Sequence, residues 1–219
     1  NAQIAGDPNQ TGYIILAEKE AEFGKYKYIN GNVGVRSANG RAKFDMYDIL
    51  DPYEVRARYV HVSPLADVYN ITRSPAVCNS LPTFYPYNGN TGGLRNIDVR
   101  VNGTVNGNWN NVTVKRGIAA TITGNNFGKI TVERGAIVTF TATVINLEKL
   151  KIENGRSPQS FTVVNFSNEA SVKVKDQVTI EAYSRVNVGG PPVTFYKGDN
   201  THGEEKFLVK GEDNQVTAN

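Results

Sequence analysis

The chain contains 219 residues, of which 39% are hydrophobic and 21% are charged, and its net charge of +3 is spread along the sequence. This composition is typical of a globular protein, and the absence of a clustered Lys/Arg stripe argues against a nucleic-acid partner. Cys78 is the only cysteine and the two histidines, His61 and His202, lie far apart, which excludes an internal disulfide, a cysteine-based zinc site and a histidine metal motif.

The first elements are predicted to be short strands that follow a polar arm. Residues 1–12 contain Gly and Pro among polar side chains and are expected to form an extended or poorly ordered arm. Residues 13–17 are apolar and predict the first strand. In residues 18–23, Ala21 and Phe23 alternate with charged side chains, so a strand with outward charges is favoured over a helical turn.

Strands and turns continue to residue 73. Residues 26–35 alternate in polarity and turn at an Asn-Gly dipeptide, which is a strong turn signal. Residues 42–47 form a possible strand. Residues 53–62 predict a good strand whose one face carries Val55, Ala57 and Tyr59.

Three aspartates in this part of the chain, Asp45, Asp48 and Asp51, are candidate calcium ligands. Carboxylates suit Ca²⁺, but the segment lacks the glycine and the terminal glutamate of an EF-hand loop. No cofactor is therefore predicted, and Ca²⁺ is the one ion that the trio would suit.

Residues 74–96 interrupt the regular pattern with prolines, aromatic residues and a Gly/Asn run. A connection of this length is expected to carry function, to cap the fold or to cross between two halves of it. The candidate binding aromatics are Phe84, Tyr85 and Tyr87 in the loop and Trp109 beyond it. Their rings would stack on the sugar rings of a glycan, or would plug the end of the fold.

A repeated pattern occupies residues 97–188. An apolar-x-apolar-polar-polar-turn unit begins at Val112, Ile130, Leu150 and Val172, with spacings of 18, 20 and 22 residues. An internal period of about 20 residues is typical of stacked coils. Each coil is expected to contain three short strands that pair in parallel with those of the next coil.

The repeat also predicts which side chains meet in successive coils. Three inward rows are expected: Val114, Val132, Ile152 and Val174; Ala120, Val138, Phe161 and Val178; and Ile122, Phe140, Val163 and Ile180. A row of glycines with positive φ is expected at one turn, formed by Gly117, Gly135 and Gly155. An amide ladder is expected at a corner, formed by Asn126, Asn146 and Asn165.

The predicted fold is all-β, a right-handed parallel β-helix (β-solenoid) with irregular N-terminal coils and a capping or crossover loop. A β-sandwich is the alternative, because strands this short also suit that architecture. One domain is predicted over residues 13–210. It comprises N-terminal coils at 13–73, the loop at 74–96, regular coils at 97–188 and closing strands at 189–210, with a hydrophilic tail at 211–219.

Groups suited to catalysis are few. Parallel β-helices often carry polysaccharide lyases and glycosidases, whose sites need convergent carboxylates, or carboxylates with Lys or Arg. Glu133 and Glu153 are expected to stack beside Lys115 and Lys175, but mixed charges at a turn also form ordinary surface ion pairs. No catalytic residue is assigned, so the chain is predicted not to be an enzyme, and a carbohydrate-active β-helix enzyme is the alternative.

A file of threonines suggests a further alternative. Thr121, Thr139, Thr162 and Thr179 are expected to point outward in one file, with Thr123 and Thr141 starting a second. Ice-binding solenoids use such files to order water, although threonine is also a favoured strand residue.

The segment Tyr28-Ile-Asn-Gly-Asn-Val-Gly-Val35, preceded by Ile14-Ile-Leu-Ala17 and followed by x-Ile-Thr-Val-x-x-Gly units, resembles exported bacterial surface proteins with ice-binding-like or adhesin-type β-solenoid modules. The resemblance implies an extracellular location at the bacterial cell surface, within a larger surface protein.

The predicted function is that of a structural or adhesion module that presents a rigid face to a cell-surface glycan, a protein or the cell envelope. An ice-binding protein is one alternative and a carbohydrate-active enzyme is the other. No apolar run approaches the roughly 18 residues that a membrane span requires, so no transmembrane segment is predicted.

Overall fold

Parallel strand pairing dominates the computed structural model, which describes residues 2–5, 13, 15–17, 19–77, 87–157, 159–197, 206–210 and 214–217. Within these ranges the chain forms strands and turns and no helix. The paired strands described there run parallel to each other. This pairing confirms the parallel β-helix and contradicts the β-sandwich, whose sheets are antiparallel.

The chain divides into two compact units, Asn1–Thr83 with Lys210–Asn219, and Phe84–Val209. In chain order the strands of the first unit begin with β1 (Ala2–Ala5), β2 (Ile15–Ala17), β3 (Glu20–Glu22), β4 (Lys27–Asn30), β5 (Val33–Val35), β6 (Arg41–Phe44), β7 (Glu54–Arg56), β8 (Tyr59–Val62) and β9 (Asn70–Thr72). The second unit contains β10 (Asn96–Val99), β11 (Gly103–Val105), β12 (Trp109–Val114), β13 (Ala119–Ile122), β14 (Asn126–Val132), β15 (Ile137–Phe140), β16 (Val144–Ile152), β17 (Thr162–Phe166), β18 (Ala170–Ile180), β19 (Ser184–Val186), β20 (Val193–Lys197) and β21 (Lys206–Val209). The last strand, β22 (Gln215–Thr217), belongs to the first unit. The predicted extent of one domain over residues 13–210 stays a prediction.

In the first unit the strands form three rows. One row pairs β2, β5, β7 and β9, another pairs β3, β6 and β8, and a third pairs β22, β1 and β4. Inward side chains of the strands and of the segments between them form the core, which comprises Ala21, Phe23, Ile29, Val33, Val35, Ala42, Phe44, Leu50, Val55, Ala57 and Val68. The rings of Phe23 and Phe44 stack at 4.9 Å between centroids, so side chains of the same type pack against each other in neighbouring coils.

Several strands of the first unit bear directly on the predictions. The strand predicted in residues 18–23 is confirmed as β3, in which Ala21 is buried between exposed Glu20 and Glu22. The strand predicted over 53–62 is two strands, because the chain bends between β7 and β8. Val55 and Ala57 are buried, but Tyr59 lies beyond the bend and is 57% exposed, so the single face predicted for the three residues is wrong.

Two strands near the ends of the chain join the first unit. β1 lies in the predicted arm, and β22 lies in the predicted hydrophilic tail. They pair with each other in parallel, and β1 also pairs with β4. Val216 of β22 is buried, and this apolar contact stabilises the short strand although its neighbours in sequence are polar.

In the second unit the strands form two rows. The long strands pair in the order β10, β12, β14, β16, β18 and β20, with β21 also on β18, and the short strands pair in the order β11, β13, β15, β17 and β19. The prediction of three short strands in each coil is wrong here. The segments beginning at Asn126 and Asn146 are continuous with the next coil's first strand, in β14 and β16.

The register of the coils agrees with the prediction for three coils and departs from it in the fourth. Val112, Ile130 and Leu150 are successive partners. The next partner of Leu150 is Val178, whereas Val172 pairs with Ile145. Two apolar-x-apolar segments, Val172-Lys-Val174 and Val178-Thr-Ile180, lie on the single strand β18, so the sequence pattern alone cannot distinguish the two alignments.

The inward rows change accordingly. Val114, Val132 and Ile152 are followed by Ile180 instead of Val174; Ala120 and Val138 by Val164 instead of Phe161; and Ile122 and Phe140 by Phe166 instead of Val163. The connection between β16 and β17 absorbs more residues than predicted, which moves Phe161 out of the strand. Phe161 instead lies beneath the guanidinium of Arg185, 3.6 Å from its ring centroid.

The predicted glycine row is confirmed at two of its three positions. Gly117 and Gly135 have φ of 71° and 69°. Gly155 does not adopt positive φ, and glycine is needed there for a different reason. A Cβ at Gly155 would lie 2.5 Å from the carbonyl oxygen of Tyr183 and 2.7 Å from that of Ser160.

The predicted asparagine ladder is shorter than expected. Asn126 and Asn146 are register partners in the row of long strands. Asn165 aligns with Thr139 in the row of short strands and so belongs to a different column. The prediction of a three-residue ladder fails because it used the same misplaced register.

Candidate functional site

A groove of about 490 Å³ lies over the outer face of β3, β6 and β8 in the first unit. Four lysine and arginine side chains are among the residues that line it, which are Glu20, Arg41, Ala42, Lys43, Arg58, Tyr59, Val60, His61 and Arg73. We call it the basic groove.

Strand alternation fixes which side chains reach the basic groove. Ala42 and Phe44 of β6 are buried in the core, so Arg41 and Lys43 point to the opposite, outer side. Parallel pairing then builds two rungs across the three strands: Glu20, Arg41 and Tyr59 in one, and Glu22, Lys43 and His61 in the other. The chemistry of the groove therefore comes from residues about 20 positions apart in sequence.

Two further arginines lie at the corner beside these rungs. Arg58 directly precedes β8, and Arg73 directly follows β9. β7 pairs with β9, and the amide of Ala57 donates to the carbonyl of Thr72 at 3.1 Å. This bond brings the chain at Arg73 beside the chain at Arg58, so that both side chains line one groove.

Ion pairs compensate only part of the positive charge. Arg41 Nε lies 2.6 Å from Glu20 Oε1, and Lys43 Nζ lies 2.6 Å from Glu22 Oε1. These hydrogen bonds raise the pKa of Arg41 and of Lys43, which therefore remain cationic. Among the described residues neither Arg58 nor Arg73 has an ion-pair partner, so the groove keeps two uncompensated positive charges.

The charged residues that stack at the turns of the second unit are not the set that the sequence predicts. Backbone bonds align Lys115, Glu133, Glu153 and Glu181 in successive coils, and Lys175 is not among them. Lys115 Nζ lies 2.9 Å from Glu133, and Lys151 Nζ lies 3.0 Å from Glu153 and 3.8 Å from Glu181. The carboxylates are therefore paired along the outer turn, as expected for surface ion pairs.

The four threonines of the predicted file do not form one file. Thr121 and Thr139 are register partners, and Thr104 precedes them in the same column. Thr179 lies in the other row, beside Lys151. Thr162 is fully buried and its hydroxyl oxygen accepts the amide of Gly135 at 2.9 Å. The prediction of a single outward file is wrong because it paired Thr139 with Thr162, whereas the partner of Thr139 is Asn165.

Thr123 and Thr141 line a second, open groove of about 690 Å³ in the second unit. The hydroxyl of Thr123 donates to Asn106 Oδ1 at 3.1 Å, and that of Thr141 lies 3.5 Å from the carbonyl oxygen of Ile122. Their polar atoms are thus occupied within the protein. Among the described residues, those that line this groove carry no charge.

The predicted aromatic group is only partly described. Phe84 and Tyr85 lie outside the described residues. Tyr87 lies beside the long strands, where Lys175 Nζ is 5.8 Å from its ring centroid and burial raises the pKa of its hydroxyl. Trp109 begins β12 next to Phe127, and its indole nitrogen donates to the carbonyl of Asn106 at 3.0 Å. Tyr87 and Trp109 thus occupy different coils.

The aspartate trio is not assembled as a metal site in the described part of the chain. Asp48 is buried, and its two carboxylate oxygens accept the amides of Lys27 and Asp45 at 2.9 and 2.7 Å. Asp45 accepts the amide of Met46 at 2.8 Å. Throughout the described ranges, no group of three or more His, Cys, Asp or Glu side chains is arranged to hold a metal ion.

Sequence reasoning missed the basic groove, although a signal was present. The alternation in residues 53–62 puts Arg58 among outward positions, and Arg73 directly follows β9, the partner of β7 in the next coil. Only the pairing of β7 with β9 brings the two arginines together, and its spacing of 16 residues from Glu54 to Asn70 is shorter than the 18, 20 and 22 residues of the predicted repeat.

No helix in the described part of the chain has the length and apolar character needed to cross a membrane. Comparison of the chain with protein-family models, with curated proteins and with solved structures yields no match.

Proposed function

We propose that the chain is an extracellular structural or adhesion module of a bacterial surface protein, and that it presents a rigid face to a partner at the cell surface. The observation that supports this proposal most is the parallel register itself. It holds outward side chains in fixed rungs, such as that of Glu20, Arg41 and Tyr59, above a buried core. A binding surface built on strands needs little ordering when a partner docks.

The arrangement of carboxylates favours this proposal over a glycosidase. Glycoside hydrolysis needs two carboxylates facing one bond, one of them protonated. Glu133, Glu153 and Glu181 instead lie at the equivalent turn of successive coils, and each is within 4 Å of a lysine ammonium. Each of these carboxylates already has a lysine partner, as in a line of surface ion pairs.

A carbohydrate-active enzyme is the second candidate, and the basic groove is the observation that favours it. Tyr59 and His61 lie beside Arg58 and Arg73, so groups able to move a proton adjoin groups able to hold an anion. Such a set suits elimination chemistry on an acidic sugar more than hydrolysis.

A binding and turnover assay separates these candidates. The purified chain is applied to immobilised bacterial capsular and cell-wall polysaccharides, and the soluble fraction is then analysed for new reducing ends and for unsaturated sugars. The adhesion proposal expects retention of the chain with no product. Product release would establish the enzyme instead. Thermal hysteresis of a solution of the chain, measured separately, together with no retention on the polysaccharides, would establish the ice-binding alternative.

A further inference from the structure

We propose that the basic groove of the first unit binds an acidic polysaccharide, one that carries carboxylate or sulfate groups along an extended chain. This inference rests on the proposed function in that the partner is taken to be a glycan at the cell surface. It adds the binding site and the chemical class of the ligand.

The charge distribution selects an anionic ligand. Of the four basic side chains that line the groove, Arg41 and Lys43 have carboxylate partners, whereas Arg58 and Arg73 have none among the described residues. Guanidinium groups bind carboxylate and sulfate through paired N–H donors. Two adjacent arginines without counter-charges therefore attract an anion, and the partner supplies the missing negative charge.

The aromatic side chain in the groove favours a sugar over a simple anion. Tyr59 is 57% exposed on β8, directly after Arg58 and in register with Arg41. A tyrosine ring among cations offers an apolar surface with a polar rim, which matches the C–H faces and hydroxyl groups of a pyranose. An acidic sugar satisfies both features at once.

The spacing of the strands favours a polymer. Neighbouring strands of a parallel sheet lie about 4.8 Å apart, and an extended glycan advances by a comparable distance for each sugar. The groove crosses three strands, so successive sugars would meet side chains of successive strands. Nucleic acid fits less well, because its affinity depends on many phosphate contacts and the described lining of the groove has only two uncompensated cations.

The test compares two charge-matched double variants. Arg58→Ala with Arg73→Ala removes the uncompensated cations of the groove, and Arg95→Ala with Arg116→Ala removes two exposed arginines of the second unit. Binding to polygalacturonate and to dextran sulfate is measured by calorimetry at low and moderate salt. Circular dichroism of each variant checks that the fold is retained.

We expect the groove variant to bind either acidic polysaccharide about tenfold or more weakly, and the second-unit variant to bind like the parent chain. Raised salt should weaken the parent's binding. Tyr59→Ala should also weaken binding whereas Tyr59→Phe should not, because the ring and not the hydroxyl makes the stacking contact.

Several results would overturn the inference. Equal losses in both double variants would mean general charge attraction without a site. Equal binding of poly-glutamate would mean a polyanion site without preference for sugars, and equal binding of neutral dextran would mean that charge plays no part. If the chain binds polygalacturonate through the groove but also degrades it, the ligand class stands and the adhesion function fails.

Discussion

At the scale of a single residue, Asp48 explains why an apparent calcium trio is a structural feature. Its carboxylate is buried and joins β4 to the turn after β6 by accepting the amides of Lys27 and Asp45. Burial raises the pKa of Asp48 to about 6, although these hydrogen bonds act in the opposite direction. Both of its carboxylate oxygens therefore serve the fold of the chain.

The raised pKa of Asp48 predicts how stability depends on pH. Because the folded value lies above the ordinary value of 3.8, the folded state holds the proton more tightly than the unfolded state. This contribution is complete below about pH 3.8 and is lost as the pH rises through about 6. Urea unfolding between about pH 4 and 7 should show the free energy of unfolding of the parent chain falling more steeply than that of Asp48→Asn, which cannot titrate at this site. Equal slopes would show that Asp48 does not titrate as described.

At the scale of one element, the turns that join the strands use glycine for two different reasons. Gly117 has a left-handed backbone, and a Cβ placed there would meet no other atom within 4 Å, whereas Gly155 has ordinary φ but lies against two carbonyl oxygens. The first turn needs a residue that tolerates positive φ, and the second needs the absence of a side chain.

These two reasons predict different mutational patterns. Gly155→Ala should lower the free energy of unfolding by about 1–3 kcal/mol, because the neighbouring backbone must move. Gly117→Asn should lower it by less than about 1 kcal/mol, since asparagine tolerates the left-handed region. Chemical denaturation of both variants gives the comparison. If Gly155→Ala were as stable as the parent, the close packing at this turn would be contradicted.

The strands show how much of the fold can be predicted from the sequence. The apolar repeat predicts the parallel coils and aligns Val112, Ile130 and Leu150 correctly, because inward positions must be apolar in every coil. It fails at the fourth coil, since Val172 and Val178 are equally apolar and both lie on β18. Choosing between them depends on the length of the preceding loop, which hydrophobic patterning does not encode.

At the scale of the whole molecule, the two units use the same parallel pairing with different coil shapes. The first has three rows of strands, and the second has two rows with longer strands. Ion pairs between lysines or arginines and carboxylates occur in both units, and among the described residues Arg58 and Arg73 of the basic groove have no ion-pair partner. The sequence pattern puts Arg58 at an outward position but does not place it beside Arg73, because only the register of β7 and β9 brings these two residues together.

The register of the coils underlies both the fold and the proposed function, and cysteine cross-linking tests it most directly. In a Cys78→Ser background, Thr139→Cys is combined either with Asn165→Cys, its observed partner, or with Thr162→Cys, the partner that an alignment of Val138 with Phe161 would give. Positions 162 and 165 lie about 10 Å apart along a strand, and a disulfide requires Cα atoms within about 7 Å. We expect oxidation to join residues 139 and 165 and to leave 139 and 162 unjoined. Efficient cross-linking of 139 to 162, with none to 165, would contradict the stacking from which the function is inferred.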